Sequence, residues 1–231
     1  TLTKELELLQ LRYEELMRKA KIAAGKTLLY REPPHYITLG KELPAKALDE
    51  ILTDHAEVFT ELKEYYKQTS ESDTTKISFY EDTYSLYNLY RFAHYYEEAY
   101  GKYIWLKSGA SLVIEHTEAM TVIDVNTGSV LKKKKQEDTL FYQINREAAK
   151  EIARQLRLRN ISGIIMIDFI NMKDTAQKEK LLSLLDSECK KDRVHCNVID
   201  MTALNLVEMT RSKVRKPLHE QIRSCMKNNR S

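Results

Sequence analysis

The stretch Met120-Thr-Val-Ile-Asp124-Val-Asn126-Thr-Gly128 reads as a hydrophobic strand that ends in polar residues and a glycine. Alternation along a strand places Asp124 and Asn126, together with Val122, on one face. An ionised carboxylate beside Val and Ile is costly to bury unless a cation or a hydrogen-bond donor compensates it. The pattern therefore indicates that Asp124 and Asn126 point at one common site.

A second apolar strand, Gly163-Ile-Ile-Met-Ile-Asp168-Phe-Ile-Asn171-Met172, also reaches an aspartate. The 44 residues from Asp124 to Asp168 allow a long loop, a helix and a return strand, which would set the two strand ends side by side. A lone aspartate in such a position more simply caps a strand or starts a turn. Two converging carboxylates, however, are oxygen ligands suited to Mg²⁺. The pair predicts a Mg²⁺ site held by Asp124 and Asp168.

Strand and helix patterns alternate after residue 103, which is typical of an α/β (α+β) fold. Apolar residues at helical spacing also predict an amphipathic helix over residues 2–23. The remaining expected elements are a hairpin at 103–125, a helix at 137–158, a strand at 164–170, a helix at 174–190, a strand at 194–201 and a helix at 205–214.

Ten of the 14 tyrosines lie between Tyr65 and Tyr103. Exposed aromatic rings can stack on nucleic-acid bases. The spacing from Tyr84 to Tyr96 is instead typical of a helix face, so we expect these rings to pack in the core or against another subunit.

Composition is that of an ordinary globular protein, with 42% hydrophobic and 31% charged residues in a chain of 231. No apolar run is long enough for a membrane span, and the first residues do not show a cationic segment followed by an apolar stretch, so we do not expect secretion. Three cysteines without a CxxC pair argue against a disulfide framework, so we expect a cytoplasmic protein.

Charge is divided unevenly along the chain. Residues 1–100 carry a net charge of −5, from 13 Lys and Arg against 18 Asp and Glu. Residues 101–231 carry +8, from 24 against 16. The basic half also contains the aspartate strands, which suits a polyanionic substrate.

Three motifs in this half resemble those of the ribonuclease E/G family. They are Thr117-Glu118-Ala-Met-Thr-Val-Ile-Asp-Val-Asn-Thr-Gly128, Glu151-Ile-Ala-Arg-Gln-Leu-Arg-Leu-Arg159 running into the second strand, and Leu206-Val-Glu-Met-Thr-Arg211. The likeness is strongest from Lys107 to Lys216. In the family an oligonucleotide-binding barrel precedes this region, so the chain looks like the latter part of a catalytic domain.

The resemblance also implies a domain organisation and a reaction. Residues 1–35 would be the remainder of a 5′-sensor, 36–100 a ribonuclease H-like subdomain, 101–216 a deoxyribonuclease I-like catalytic subdomain and 217–231 a basic tail. The implied activity is Mg²⁺-dependent endoribonuclease cleavage of single-stranded RNA by metal-activated water. The products would carry 5′-phosphate and 3′-hydroxyl ends, and the implied role is rRNA or tRNA processing and mRNA decay. The alternative is a non-catalytic RNA-binding or scaffolding module of the same fold.

For the site, the resemblance implies that Asp124 and Asp168 hold Mg²⁺ and that Asn126 orients one of them. The family usually has an aspartate where this chain has Asn171, which removes one negative charge near the metal. Asp200, at the end of a further apolar strand, is a candidate to compensate for it.

Basic residues between the two aspartate strands predict RNA contacts. Helical spacing groups Arg146, Lys150, Arg154 and Arg157 on one side of the predicted helix, and the loop before it contributes Lys132 and Lys133. The alternative is a solvated face braced by Glu147–Lys150 and Glu151–Arg154 pairs.

A zinc link between protomers is common in the family, through a CPxC pair after the last motif. This chain has only Cys225 there, and zinc needs four ligands. His219 is a further candidate ligand, but a lone His in a basic tail is more often exposed. We therefore expect no zinc, and we expect any homo-oligomer to form through protein surface alone.

Overall fold

The computed structural model describes residues 2–31, 33–42, 48–69, 76–128 and 137–228. Two compact units divide the chain after Arg91. This division falls before the helix that leads into the predicted hairpin, rather than after residue 100. That helix therefore belongs with the second unit, residues 92–231.

The first unit is a small α/β assembly. Its elements are α1 (Leu2–Ile22), α2 (His35–Glu42), β1 (Glu50–Thr53), α3 (Ala56–Thr69), β2 (Lys76–Phe79) and α4 (Leu86–Leu89). The helix predicted over residues 2–23 is confirmed as α1. Strands β1 and β2 pair in parallel, and Ile37, Leu62 and Tyr66 form the buried cluster of this unit.

The second unit contains one mixed sheet and its helices. Its elements are α5 (Phe92–Tyr100), β3 (Tyr103–Trp105), β4 (Ser111–His116), β5 (Met120–Asn126), α6 (Glu137–Leu158), β6 (Gly163–Asp168), α7 (Thr175–Cys189), β7 (Cys196–Met201), β8 (Leu206–Arg211) and α8 (Leu218–Asn228). The mixed α/β class predicted from the sequence is thereby confirmed. None of the described helices combines the length and the apolar character needed to cross a bilayer.

The strand order of the sheet is β3-β4-β5-β6-β8-β7. Strands β5 and β6 run parallel, and the other neighbouring strands run antiparallel. The connection from β5 to β6 contains α6, because two adjacent parallel strands need a long crossover. The two aspartate strands are thus central neighbours with their carboxyl ends at the same edge.

Helices α6 and α7 cover one face of this sheet. The inner side of α6 is fully buried and consists of Ile144, Ala148, Ile152 and Leu156. These side chains pack with Ile123 and Ile167 from the central strands. Burying this apolar face is the main source of stability for the unit.

The helix predicted over 205–214 is wrong, because residues 206–211 form strand β8. Val207, Met209 and Arg211 are buried while the residues between them are partly exposed, which is the period of two that a strand produces. Leu, Glu, Met and Arg favour helices in isolation. Pairing with β6 and β7 on both sides overrides that preference.

The aromatic stretch does not contribute to the core as expected. Exposed fractions are 55% for Tyr84, 48% for Tyr87, 44% for Phe92 and 59% for Tyr96. The core part of that interpretation is therefore wrong for these rings. Packing against another subunit stays a prediction.

Candidate metal-binding site

Asp124 and Asp168 are directly opposed partners on the parallel strands β5 and β6. Neighbouring strands lie about 4.8 Å apart, so the two carboxylates leave adjacent points of the backbone. Ile123 is fully buried and Val125 nearly so, whereas Asp124 is partly exposed. Both aspartates therefore project from the sheet face opposite the helix layer.

Asn126 holds the first of these carboxylates. Its side-chain amide donates a hydrogen bond of 2.7 Å from Nδ2 to Asp124 Oδ2. The two residues are separated by one position along β5, so both side chains lie on the same face. The contact fixes the orientation of the Asp124 carboxylate and leaves its other oxygen for a further ligand.

The two carboxylates repel each other electrostatically. Partial burial, and next the negative charge of Asp124, raise the pKa of Asp168 above its ordinary value. A bound cation would relieve both effects, because it stabilises the ionised form of each carboxylate. The electrostatics of the pair therefore favour a cation.

A buried amide that the sequence pattern did not single out positions the end of β6. The Asn145 side chain accepts a hydrogen bond of 3.0 Å from the Ile170 backbone N–H and donates one of 2.7 Å to the Ile170 carbonyl. It is completely buried. The clamp fixes the chain two residues after Asp168. The available signal was an asparagine on the apolar side of a predicted helix, where it needs a buried partner.

The loops beside the site are held tightly. Gly128 has a φ of +56°, and a Cβ at this position would come within 2.5 Å of the Gly109 carbonyl oxygen. Glu147 of α6 accepts hydrogen bonds from the backbone N–H groups of Lys107 (2.7 Å) and Ser108 (3.3 Å). The turn after β3 and the chain leaving β5 are thus fixed against each other and against α6.

The donor set at this edge suits Mg²⁺. Two carboxylates and an amide offer hard oxygen ligands, and Mg²⁺ usually keeps several waters while taking one or two protein carboxylates. Across the described ranges, no group of three or more His, Cys, Asp and Glu residues could enclose a metal ion. A site that leaves several positions for water and substrate fits the pair better than a closed protein cage.

Among the described residues, no ion pair joins the α6 cations to these two carboxylates. The helix covers the face that carries Ile123 and Ile167, whereas the carboxylates project from the opposite face. Lys150 is exposed, and the Arg146 guanidinium lies 5.7 Å from the Tyr142 ring centroid. RNA contacts by these side chains therefore stay a prediction, and they require an RNA segment that passes along the outer side of α6.

Arg154 is engaged within the protein. Its guanidinium forms an ion pair with Glu98 of α5 and a second one, at 3.0 Å, with Glu151. Gln155 donates to the same two carboxylates. The Glu151–Arg154 pair of the alternative reading is thus present, and Arg154 links α5 to α6. The Arg157 side chain is exposed and donates to the Glu188 carbonyl at 3.4 Å.

Other predicted residues lie away from the pair or outside the described ranges. Lys132 and Lys133 belong to residues 129–136, which the structure does not describe. Asn171 is exposed in the segment after β6. Asp200 belongs to the edge strand β7 and is opposed by Glu208 of β8. Strand β7 is two strands away from β6, which corresponds to about 10 Å between the two backbones. That position does not support compensation for Asn171.

His219 is not exposed as expected. Its ring stacks on His116, and its Nδ1 atom is buried. Cys189 and Cys196 are free thiols, and the side chain of Cys225 lies outside the described part of the structure.

The model of the ribonuclease E/G family matches residues 1–214. The chain is 34% identical over 217 residues to ribonuclease G of Haemophilus influenzae, which covers 94% of this chain and 44% of that protein. It is 34% identical over 206 residues to ribonuclease G of Escherichia coli K12, with 89% and 42% covered. It is 31% identical over 219 residues to ribonuclease E of Nostoc sp., with 94% and 32% covered.

The fold and paired carboxylates are those of a mixed α/β protein with a candidate site for a hard divalent cation. The match over residues 1–214 shows that the chain belongs to the ribonuclease E/G family, which confirms the resemblance in its motifs. The chain spans less than half the length of the relatives described above.

Proposed function

We propose that this chain carries the cleavage site of a Mg²⁺-dependent endoribonuclease that cuts single-stranded RNA. The products would carry 5′-phosphate and 3′-hydroxyl ends, and the role would be rRNA or tRNA processing and mRNA decay. The observation that carries the proposal is the opposed pair Asp124 and Asp168 with Asn126 bonded to Asp124. Ribonuclease activity is named for the relatives and comes to this chain as part of the proposal.

Asp124 and Asp168 would hold the metal, and Asn126 would keep the Asp124 carboxylate oriented. When bound, Mg²⁺ polarises the phosphoryl group and lowers the pKa of a water. In the proposed hydrolysis, the water oxygen bonds to phosphorus and the bond to the 3′ oxygen breaks. The leaving 3′ oxygen takes up a proton, which yields the two proposed ends.

Placement of the carboxylates supports access by a long polymer. Both carboxylates project from the sheet face that α6 and α7 do not cover, so an RNA strand can reach them without crossing the helix layer. As part of the same proposal, residues 101–216 form the catalytic subdomain, after a 5′-sensor remainder (1–35) and a ribonuclease H-like subdomain (36–100).

Incubating the protein with a single-stranded RNA labelled at its 5′ end, in Mg²⁺ and in EDTA, tests the proposal. We expect cleavage in Mg²⁺ and none in EDTA. The downstream product should be degraded by an exonuclease that requires a 5′-phosphate. RNA bound without cleavage in either condition would support the non-catalytic RNA-binding alternative.

A further inference from the structure

Two aromatic side chains stand exposed on strand β3, at the edge of the six-stranded sheet. Trp105 is 73% exposed and Tyr103 is 61% exposed, whereas Ile104 between them is buried in the core. Exposed rings remove little apolar surface from water, so they contribute little to the stability of this unit. Adjacent exposed rings of this kind are typical of a ligand-binding surface.

Strand register connects these rings to the carboxylates. Tyr103 is opposed by Val113 of β4, and Val113 is opposed by Asp124 of β5. Residues opposed across a sheet project from the same face, and each step is about 5 Å, so Tyr103 and Asp124 are about 10 Å apart at their backbones.

Trp105 occupies the next row on the same face. Trp105 is opposed by Ser111 of β4, and Ser111 is opposed by Asn126 of β5. The backbones of Trp105 and Asn126 are therefore also about 10 Å apart. Only Ser and Val, two small side chains, separate the rings from the site in these rows. A flat group could therefore extend from the carboxylates to the rings across the sheet.

Two lysines lie next to the rings in the chain, and one of them is paired with a carboxylate. Lysines flank them in the run Lys102-Tyr-Ile-Trp-Leu-Lys107. Lys102 forms an ion pair with Glu115, and its Nζ lies 5.7 Å from the Tyr103 ring centroid. Lys107 is exposed, and its backbone N–H is held by Glu147 of α6. Aromatic rings next to cations are the combination with which proteins bind single-stranded nucleic acid.

We propose that Tyr103 and Trp105 form a stacking platform for unpaired bases of the RNA strand whose phosphate reaches Asp124 and Asp168. This inference rests on the proposed function and adds a binding subsite to it. Stacking requires no particular base, since every base has a π-face. The platform would therefore select for unpaired nucleotides rather than for a sequence. A second copy of the chain pairing with edge strand β3 is the competing occupant, and flanking lysines favour the polyanion.

Fluorescence gives a direct test, because Trp105 is the single tryptophan of the chain. The Asp168→Asn variant keeps RNA intact in Mg²⁺ while Trp105 emission is followed. We expect a single-stranded oligoribonucleotide to quench this emission and an abasic oligomer of equal length and charge to leave it nearly unchanged. Anisotropy of labelled RNA measures binding in the same samples.

Kinetics on the active protein give a second readout. Trp105→Ala should raise the KM for single-stranded RNA about ten-fold with little change in kcat, since one stacked base is lost. Trp105→Phe should restore most of the loss. Tyr100→Ala is the matched control, because Tyr100 is a 59% exposed aromatic residue on α5.

The outcomes separate this inference from the function on which it rests. RNA that binds by anisotropy without quenching, or an unchanged KM in Trp105→Ala, would overturn the platform while leaving the endoribonuclease proposal in place. Emission that shifts with protein concentration rather than with RNA would assign the rings to a protein contact and overturn it. Wild-type protein that neither binds nor cuts RNA would overturn both.

Discussion

The imidazole rings of His116 and His219 stack, with centroids 3.9 Å apart and planes inclined by 14°. The contact joins the last residue of β4 to the first turn of α8. His116 Nδ1 also lies 3.0 Å from Thr121 Oγ1. Burial, then the neighbouring His219 and Arg159, lower the pKa of His116 to about 4. Burial lowers the pKa of His219 as well.

This stack makes stability depend on pH. Between pH 6.5 and about 4, His116 binds a proton in the unfolded chain but not in the folded one. The free energy of unfolding should therefore fall as the pH is lowered through this window, by about 1–2 kcal/mol for a partly solvated site. Urea unfolding at pH 7.5 and pH 5 measures the change. His116→Gln should reduce this change in the free energy of unfolding, whereas His55→Gln, at an exposed position, should not. The same change between pH 7.5 and pH 5 in the wild type and both variants would contradict the expectation.

Asp124→Asn or Asp168→Asn should abolish Mg²⁺-dependent cleavage and preserve the fold. Each change removes an anionic ligand without altering side-chain volume, and also removes the electrostatic repulsion between the two carboxylates. Cleavage assays with a thermal melt of each variant measure both effects, with Asp200→Asn as the control. Near-wild-type cleavage by either variant at low Mg²⁺ would refute the ligand assignment.

Asn126→Ala should shift the Mg²⁺ requirement without abolishing cleavage. The change removes the 2.7 Å hydrogen bond that orients Asp124, and loss of such supporting contacts typically weakens metal binding about 10- to 100-fold. A titration of cleavage rate against Mg²⁺ measures the shift. Asn197→Ala, on the exposed part of β7, is the control. The same Mg²⁺ midpoint in Asn126→Ala and wild type would rule out the orienting role.

Arg154 and Arg157 should differ when each is replaced by Ala. Arg154→Ala leaves Glu98 without its guanidinium partner, so we expect a loss of about 1–2 kcal/mol in the free energy of unfolding. Arg157→Ala should instead lower the slope of RNA affinity against salt by about one, if Arg157 contacts a phosphate. Unfolding and salt-titration experiments on both variants decide this. An unchanged slope for Arg157→Ala would assign that side chain to the solvated face.

Zinc should have no effect on assembly. The sequence has no CxxC pair, and two protomers contributing one Cys225 each cannot supply four ligands. Metal analysis and gel filtration with and without chelator provide the measurement. About half a zinc per chain, lost together with a dimer on chelation, would show the opposite.

The sequence predicted the central elements because their patterns are strong and local. A helix was expected over residues 137–158 and α6 occupies Glu137–Leu158, while α7 lies within the predicted 174–190. The side of β5 that carries Asp124 followed from alternation alone. These features depend on neighbours along the chain, which a pattern records directly.

What the sequence could not predict depends on distant partners. Strand β8 has helix-forming residues and becomes a strand because β6 and β7 flank it. Arg154 is paired with Glu98, 56 residues away, so the helix pattern alone left its role open. The position of the α6 cations behind the sheet likewise requires the strand order, which no local spacing contains.

The place of β8 in the sheet also affects how the protein is made. Strand β6, with Asp168 at its end, has β8 as its neighbour on one side, although β8 follows it in the chain by nearly 40 residues. During translation, β6 therefore leaves the ribosome with one edge unpaired until residues 206–211 follow. An exposed apolar edge is prone to pair with other chains. The interval between the synthesis of β6 and that of β8 is thus a stage at which the nascent chain can misassemble with other chains.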